Sequence, residues 1–168
     1  MASIRQGSSA DYPILIQFFD DAVGWLTERG SEGQWGTEPW SGIPRRVEQV
    51  REMAANPGLV IAEVDGEPAG ALIVSPQPPD MVTPVDEPEL YVRLLITSRK
   101  HIGEDVGGQL LRHARAETER RGVKLLRVDC WAGGKGDLVR YYEGQGFTST
   151  FQFDHHGWIG QVLEQRLP

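Results

Sequence analysis

Between residues 96 and 122 the chain reads ITSRKHIGEDVGGQLLRHARAETERRG, which gathers Gly103, Gly107 and Gly108 at the mouth of a helix. Glycines ahead of a helix let the backbone turn sharply or approach a partner closely. The free N–H groups and positive dipole end of the helix then form a seat for an anion. Arg99, Lys100 and His101 add positive charge just before it, whereas Glu104 and Asp105 sit among the glycines and oppose it. Neither common nucleotide pattern is present: there is no G-x-G-x-x-G, and the later GGKGD lacks the P-loop frame. On spacing alone, a helix entry with small residues for tight packing explains the glycines equally well.

Other reactive side chains carry less. Asp154-His155-His156-Gly157 has metal-binding residue types, but adjacent strand residues point to opposite faces and no further ligand set accompanies them. A turn at the rim of a site, with no metal, is the expectation there. Cys130, in VDCW, lies within an expected strand and reads as a small buried hydrophobe rather than a nucleophile. With one cysteine the chain forms no internal disulfide, which fits a reducing compartment.

The elements that must position these groups follow from periodicity and punctuation. SIRQGS reads as a first strand, and Asp11 is placed to cap a helix carrying Ile14, Phe18 (with Phe19), Val23 and Trp25 or Leu26 that ends at Gly30. Residues 31–44 are Gly- and Pro-rich loop; residues 45–55 form a second helix stopped by Asn56-Pro57-Gly58. LVIAEV and AGALIVS are strands joined through Asp65-Gly66-Glu67, a hairpin signal. An acidic, proline-rich loop over 76–88 leads to the strand ELYVRLLI. The glycine-mouthed helix follows, with Val106, Leu110, Leu111 and Ala114 facing inward. KLLRVDCW is a strand, DLVRYYEGQ a short helix ended by Gly146, and FTSTFQF with QVLEQRL a closing antiparallel pair. The order β-α-α-β-β-β-α-β-α-β-β describes a single α/β domain over residues 1–168 with a mixed sheet.

The 168 residues suffice for one core, and 39% hydrophobic with 24% charged residues is globular composition. The net charge of -7 is uneven: residues 1–90 hold 15 acids against 5 Lys/Arg, and residues 91–168 hold 9 against 12. Such polarity fits one site for a cation and another for an anion, or segregated solvated surface. Overall acidity argues against nucleic acid as a partner. Apolar runs too short for a bilayer, and an N-terminus without a signal peptide's apolar stretch, lead to the expectation of a soluble cytoplasmic protein with no membrane partner.

From Glu89 to Phe147, the strand ELYVRLLITS, the loop-helix HIGEDVGGQLL, the strand LLRVDCW and the closing YYEGQGF resemble, in order and spacing, the GNAT superfamily of acyl-CoA N-acyltransferases. The resemblance implies a mostly antiparallel central sheet with a splayed parallel strand pair, flanked by helices. It implies acetyl-CoA as cosubstrate, held against residues 93–112. The family's loop pattern, Gln/Arg-x-x-Gly-x-Gly/Ala, meets Ile102 in place of Gln/Arg and Asp105 in place of the first glycine. Ile102, Gly103, Glu104, Asp105, Val106, Gly107 and Gly108 would then cradle the pyrophosphate. Leu94, Leu95 and Ile96 would line the cofactor, with an oxyanion-binding N–H near Leu94 or Leu95. Asp tolerates a left-handed backbone, so Asp105 can replace a glycine there, and it can also cap the helix. Both loop acids are expected to point away from the pyrophosphate.

Tyr142 stands where the family carries a tyrosine near the CoA sulfur, and the implied role is general acid toward the departing thiolate. Lys135 takes the place of a cofactor-touching asparagine. A proton must also leave the acceptor amine. Glu89 is the expected base, Asp129 a second candidate placed in the acceptor site, with Asp86 and Glu87 nearby. Trp25, Trp35 and Trp40 either wall a pocket for a small cationic amine or pin a long loop to the core. Family homodimers are common, but no interface is readable. Two rivals to an enzyme stay open: a catalytically weak acyl-CoA-binding module, and an interaction domain using the acidic, Trp-rich half.

Overall fold

Two tight turns fix the register of both hairpins. Asp65-Gly66 and His156-Gly157 all take positive φ, 52° and 79° in the first pair and 54° and 88° in the second. This is the two-residue turn whose twist matches paired strands. In the computed structural model, which describes residues 2–31 and 33–168, the elements follow the expected order. They are β1 (Ser3–Gln6), α1 (Tyr12–Glu28), α2 (Pro44–Ala54), β2 (Leu59–Val64), β3 (Glu67–Ser75) and β4 (Leu90–Thr97). Then come α3 (Val106–Arg120), β5 (Leu125–Trp131), α4 (Asp137–Gly144), β6 (Thr148–His155) and β7 (Trp158–Arg166). The strands form one seven-stranded sheet in the order β1-β2-β3-β4-β5-β7-β6. β4 and β5 are its parallel pair.

Short turns also explain where the strand ends differ from expectation. With only two residues in each turn, β3 begins at Glu67, β6 runs on to His155, and β7 starts at Trp158. The positive φ of His156 breaks strand alternation. The rings of His155 and His156 therefore lie 4.5 Å apart instead of on opposite faces.

The described residues divide into two compact units. The first comprises the chain up to Ile73 together with Leu94–Leu110. Here Leu15, Phe18, Phe19 and Val23 of α1 bury themselves among Leu59, Ile61, Ala71, Ile73, Leu94 and Ile96 of the strands. Gly70 is bare for a reason: a Cβ there would lie 3.0 Å from the Ile96 carbonyl oxygen and 3.0 Å from Val106 Cγ1. Its absence lets the first turn of α3 seat on β3.

Asp11 does not cap α1 with its side chain. It closes a capping box with Ser8 on the 3-10 turn that precedes the helix, accepting the Ser8 N–H at 2.9 Å. Arg5 donates to both its oxygens, at 2.8 and 3.1 Å. Those donors hold the Asp11 carboxyl below its ordinary value of 3.8, Arg5 first among them.

The second unit comprises Val74–Arg93 with Leu111–Pro168. β5 lies against β7 over seven pairs, from Leu125↔Arg166 to Trp131↔Gly160. Its parallel ladder with β4 is short, from Leu90↔Leu126 to Val92↔Val128. A buried ion pair crosses that ladder: Arg127 donates to both oxygens of Glu89 at 2.7 and 2.8 Å, and to the Thr83 carbonyl at 3.2 Å. After β5 the GGKG run folds onto Trp131, whose indole a Cβ at Gly133 would overlap. That packing accounts for the glycine. Among the described residues no helix is long and apolar enough to cross a membrane.

Because its folded-state pKa is depressed, Asp11 contributes stability that is present above pH 3.8 and is lost as pH falls through the lower folded value. Asp11→Asn is expected to cost about 1–2 kcal/mol at pH 7. Urea titrations at several pH values should show the gap to the parent closing below pH 3.8.

Candidate functional site

The glycine loop belongs to the first unit. A 3-10 turn over Arg99–His101, capped by Ser98, carries the chain from β4 into it. Gly103 and Asp105 both adopt left-handed backbone, φ 88° and 54°, so Asp105 stands in a conformation that a glycine takes without strain. Each acid is drawn to a protein partner. Glu104 meets His101 Nδ1 at 2.8 Å, and His101 Nε2 lies 3.5 Å from Glu67. Asp105 turns its carboxylate over the first turn of α3. There a Cβ on Gly108 would overlap Oδ1 and fall 2.8 Å from Cγ. Gly108 is therefore the space that Asp105 fills.

The loop is further pinned by Gln109, which donates to the carbonyls of Glu104 and Asp105 at 3.0 and 3.3 Å. Glu104 is thus paired with His101, and Asp105 lies over the first turn of α3, where the positive end of a helix attracts a carboxylate. Ile102 is 67% exposed. Leu94 and Ile96 are buried in the core under α1 and Leu95 is half-buried.

In the second unit, the end of the parallel ladder collects polar groups. Asp129 is the first β5 residue past the last parallel pair, and the buried Tyr91 of β4 donates its phenol to Asp129 Oδ2 at 2.6 Å. Burial pushes the Asp129 carboxyl up while the Tyr91 bond pulls it down. Cys130, next along the strand, faces the other way; burial pushes its thiol up to about 12. On that other side α4 contributes Tyr142, 6% exposed, set edge-on to Tyr141 and Phe147. Burial raises the Tyr142 phenol, with Cys130 adding to the effect, so it stays protonated at neutral pH. Among the described residues its oxygen has no hydrogen-bond partner.

A glycine loop, then a helix, then a strand and a short helix bearing a protonated tyrosine match a known pattern. Residues 20–147 match the acetyltransferase (GNAT) family. The chain belongs to that family. No curated protein sequence matches it. Solved structures do, at low identity that carries the fold alone. A GNAT acetyltransferase from Listeria monocytogenes is 21% identical, covers 99% of this chain and 95% of its own, and superposes with a TM-score of 0.74. A ribosomal-protein-alanine N-acetyltransferase from Brucella melitensis is 21% identical over 98% of this chain and 99% of its own, with a TM-score of 0.63. An acetyltransferase from Salmonella typhimurium, solved with its cofactor acetyl-CoA, is 17% identical over 100% and 95%, with a TM-score of 0.63.

Two expectations for this GNAT site need correction. Glu89 is not free to act as a base, because both its oxygens are committed to Arg127 in the buried pair. Nor do the tryptophans offer open walls. Trp40 is 3% exposed, stacked on Phe19 at 4.2 Å with Arg46 at 4.3 Å from its ring centre. Its N–H donates to the Trp35 carbonyl at 3.1 Å, and Trp35 meets Phe19 edge-on. Trp25 carries Arg99 at 3.8 Å and Arg29 at 4.5 Å. Trp25 and Trp40 already hold the chain's own arginines, and Trp35 and Trp40 anchor a loop that has few other apolar side chains to bury.

Lys135 is exposed, and its carbonyl accepts from Arg140 at 2.7 Å. Among the described residues no cluster of His, Cys, Asp or Glu is arranged for a metal. The sequence reading passed over Tyr91 and Arg127. Their signal was present: E-x-Y on one strand and R-x-D on the next put polar groups at period two on otherwise apolar, buried strands.

Gly108→Ala should lose stability in the parent chain although alanine favours a helix by about 1 kcal/mol. In an Asp105→Ala background the same change should stabilise. A double-mutant cycle by urea unfolding is expected to give a coupling of about 1 kcal/mol or more.

Proposed function

We propose that this GNAT protein is an N-acetyltransferase that moves an acetyl group from acetyl-CoA to the primary amine of a small cationic molecule by direct attack. The whole chain acts as one catalytic domain in this reading. Bound acetyl-CoA supplies the activated acyl group. The amides of residues 102–108 take its pyrophosphate, and an N–H at Leu94 or Leu95 meets the carbonyl oxygen as charge develops there. Tyr142 gives its proton to the leaving thiolate. The acceptor ammonium is drawn to Asp129. The net acidity of the first 90 residues raises the local concentration of such a cation.

The observation that carries this reading is Tyr142 itself, a protonated phenol whose oxygen has no hydrogen-bond partner among the described residues, on the opposite face of β5 from a carboxylate. The loop fits the pyrophosphate in Gly103, Gly107 and its helix N-terminus. Asp105 is the misfit, since its carboxylate lies at the end of α3 where the anion would come. That observation favours a second reading, a weak acyl-CoA-binding module with little turnover.

Calorimetry with acetyl-CoA, beside ATP and desulfo-CoA, separates the two. Micromolar binding, about -8 kcal/mol, with CoA release from a panel of polyamines and aminoglycosides supports the enzyme. Tyr142→Phe should then lower kcat by about 10²-fold or more while the acetyl-CoA Kd holds within twofold. Asp105→Gly, which removes a carboxylate from a backbone that glycine accepts, should tighten acetyl-CoA binding by roughly tenfold. Unchanged binding in Asp105→Gly would show that the acid lies clear of the phosphates. Binding only in the millimolar range, restored by Asp105→Gly, would support the weak-binder reading.

A further inference from the structure

Between the ion pair of Glu89 with Arg127 and the end of the parallel ladder lies a contact that the acetyl-transfer scheme above leaves unused. Tyr91 and Asp129 share one face, and their hydrogen bond, at 2.6 Å, is among the shortest in the chain. Tyr91 is wholly buried, and Asp129 is half-buried. The phenol engages Oδ2 only; among the described residues Oδ1 has no hydrogen-bond partner.

We propose that Asp129 is the group that takes the proton from the acceptor ammonium, and that Tyr91 is its positioning residue, holding one oxygen so that the other faces the amine. This assignment rests on the acetyltransferase reading and deepens it. A buried aspartate without a donor would either protonate or rotate freely between rotamers. A phenol donating at 2.6 Å favours the ionised form and fixes the plane of the carboxylate. The phenol is itself fixed, since the Arg127 guanidinium lies 5.4 Å from the Tyr91 ring centre and Glu89 holds Arg127. Three further residues therefore set the direction of one oxygen.

Placement supports the role. Asp129 follows the last parallel pair, so it marks where β5 leaves β4. Strand alternation sends its carboxylate to one face of β5 and Cys130, beside Tyr142, to the other. An amine deprotonated by Asp129 and a thiolate protonated by Tyr142 are thus served from opposite faces. The balance closes. The ammonium gives one proton to Asp129, which passes it to solvent, and the amine nitrogen forms its bond to the acyl carbon as the C–S bond breaks. Tyr142 protonates the sulfur and is reprotonated by the second proton that the nitrogen loses.

The charged and titratable groups that face Asp129 are the Tyr91 phenol and Arg93 from β4 and Arg127 on its own strand. Cys130 and, from α4, Tyr142 feel its charge in turn. Arg93 and Arg127 favour its ionised form, and burial opposes it. Removing the Tyr91 donor leaves burial less opposed, so the carboxyl must titrate higher.

The test is a carboxyl ¹³C NMR titration of the full chain labelled at aspartate, run beside the pH dependence of kcat/KM with acetyl-CoA and the amine panel. In the parent, one aspartate absent from Asp129→Asn should titrate above ordinary carboxylates, and the acidic limb of kcat/KM should coincide with it. Tyr91→Phe, which keeps the ring, should move both upward by about one pH unit, with the acetyl-CoA Kd unchanged. An Asp129 resonance that stays put in Tyr91→Phe overturns the positioning role. An Asp129→Asn variant that keeps the parent's limb and kcat overturns the base. Should acetyl-CoA bind but no amine be acetylated by any variant, the base falls with the acetyltransferase reading. The NMR shift then decides alone whether Tyr91 holds Asp129. A thermal melt of Tyr91→Phe within a few degrees of the parent separates these outcomes from loss of the fold.

Discussion

Arg127 and Glu89 are both out of water, and the start of the parallel ladder depends on their meeting. Each charge pays several kcal/mol in lost hydration, which attraction offsets only where geometry is good and the remaining hydrogen bonds are made. Here the fork is bidentate and the third donor reaches the Thr83 carbonyl. Loss of either partner would leave the other buried and unpaired, which typically destabilises by about 3–5 kcal/mol. An apolar pair of the same volume could hold two strands as firmly. What it could not do is supply a fixed positive charge beside Tyr91 and a tether for the loop of 76–88.

The glycine loop shows a different use of charge. Its two acids are a liability only if they face an incoming anion. Glu104 is occupied by His101, and Asp105 lies at the positive end of α3 in the space that Gly108 leaves. Asp105 and Gly108 are therefore one feature. A side chain larger than hydrogen at Gly108 would evict the carboxylate, and a glycine at 105 would leave that space vacant. Residue 105 keeps a left-handed backbone conformation that glycine takes without strain while carrying a charge.

Much of the fold was legible in the chain. The hairpin turns, the helix stops and the alternating apolar runs are local signals, and the element order they imply is the one observed. Where boundaries moved, the cause was local as well: a two-residue turn needs fewer residues than the punctuation around Asp65 and His155 suggested. Asp11 stands at the N-cap position of α1, but a capping residue looks the same in sequence whether its side chain serves the helix after it or the turn before it. Arg5 decides that question from the neighbouring strand.

The site divides along the same line. By itself the sequence determined the glycine loop ahead of a helix, the short helix that bears Tyr142 and the identity of the acids, because these follow from residue type and spacing along the chain. Only the tertiary structure decided which acid is spent and which has an oxygen to spare. Glu89, just ahead of one central strand, and Asp129, on the next, are both carboxylates, yet among the described residues one is neutralised by Arg127 and the other is held by a single phenol. The tryptophans divide likewise, since nothing in WGTEPW announces that Phe19 and Arg46 will cover Trp40. The physical reason is common to both. Desolvation and pairing depend on which side chains arrive from distant parts of the chain, and a carboxylate's or a ring's availability is a property of those neighbours rather than of its own residue type.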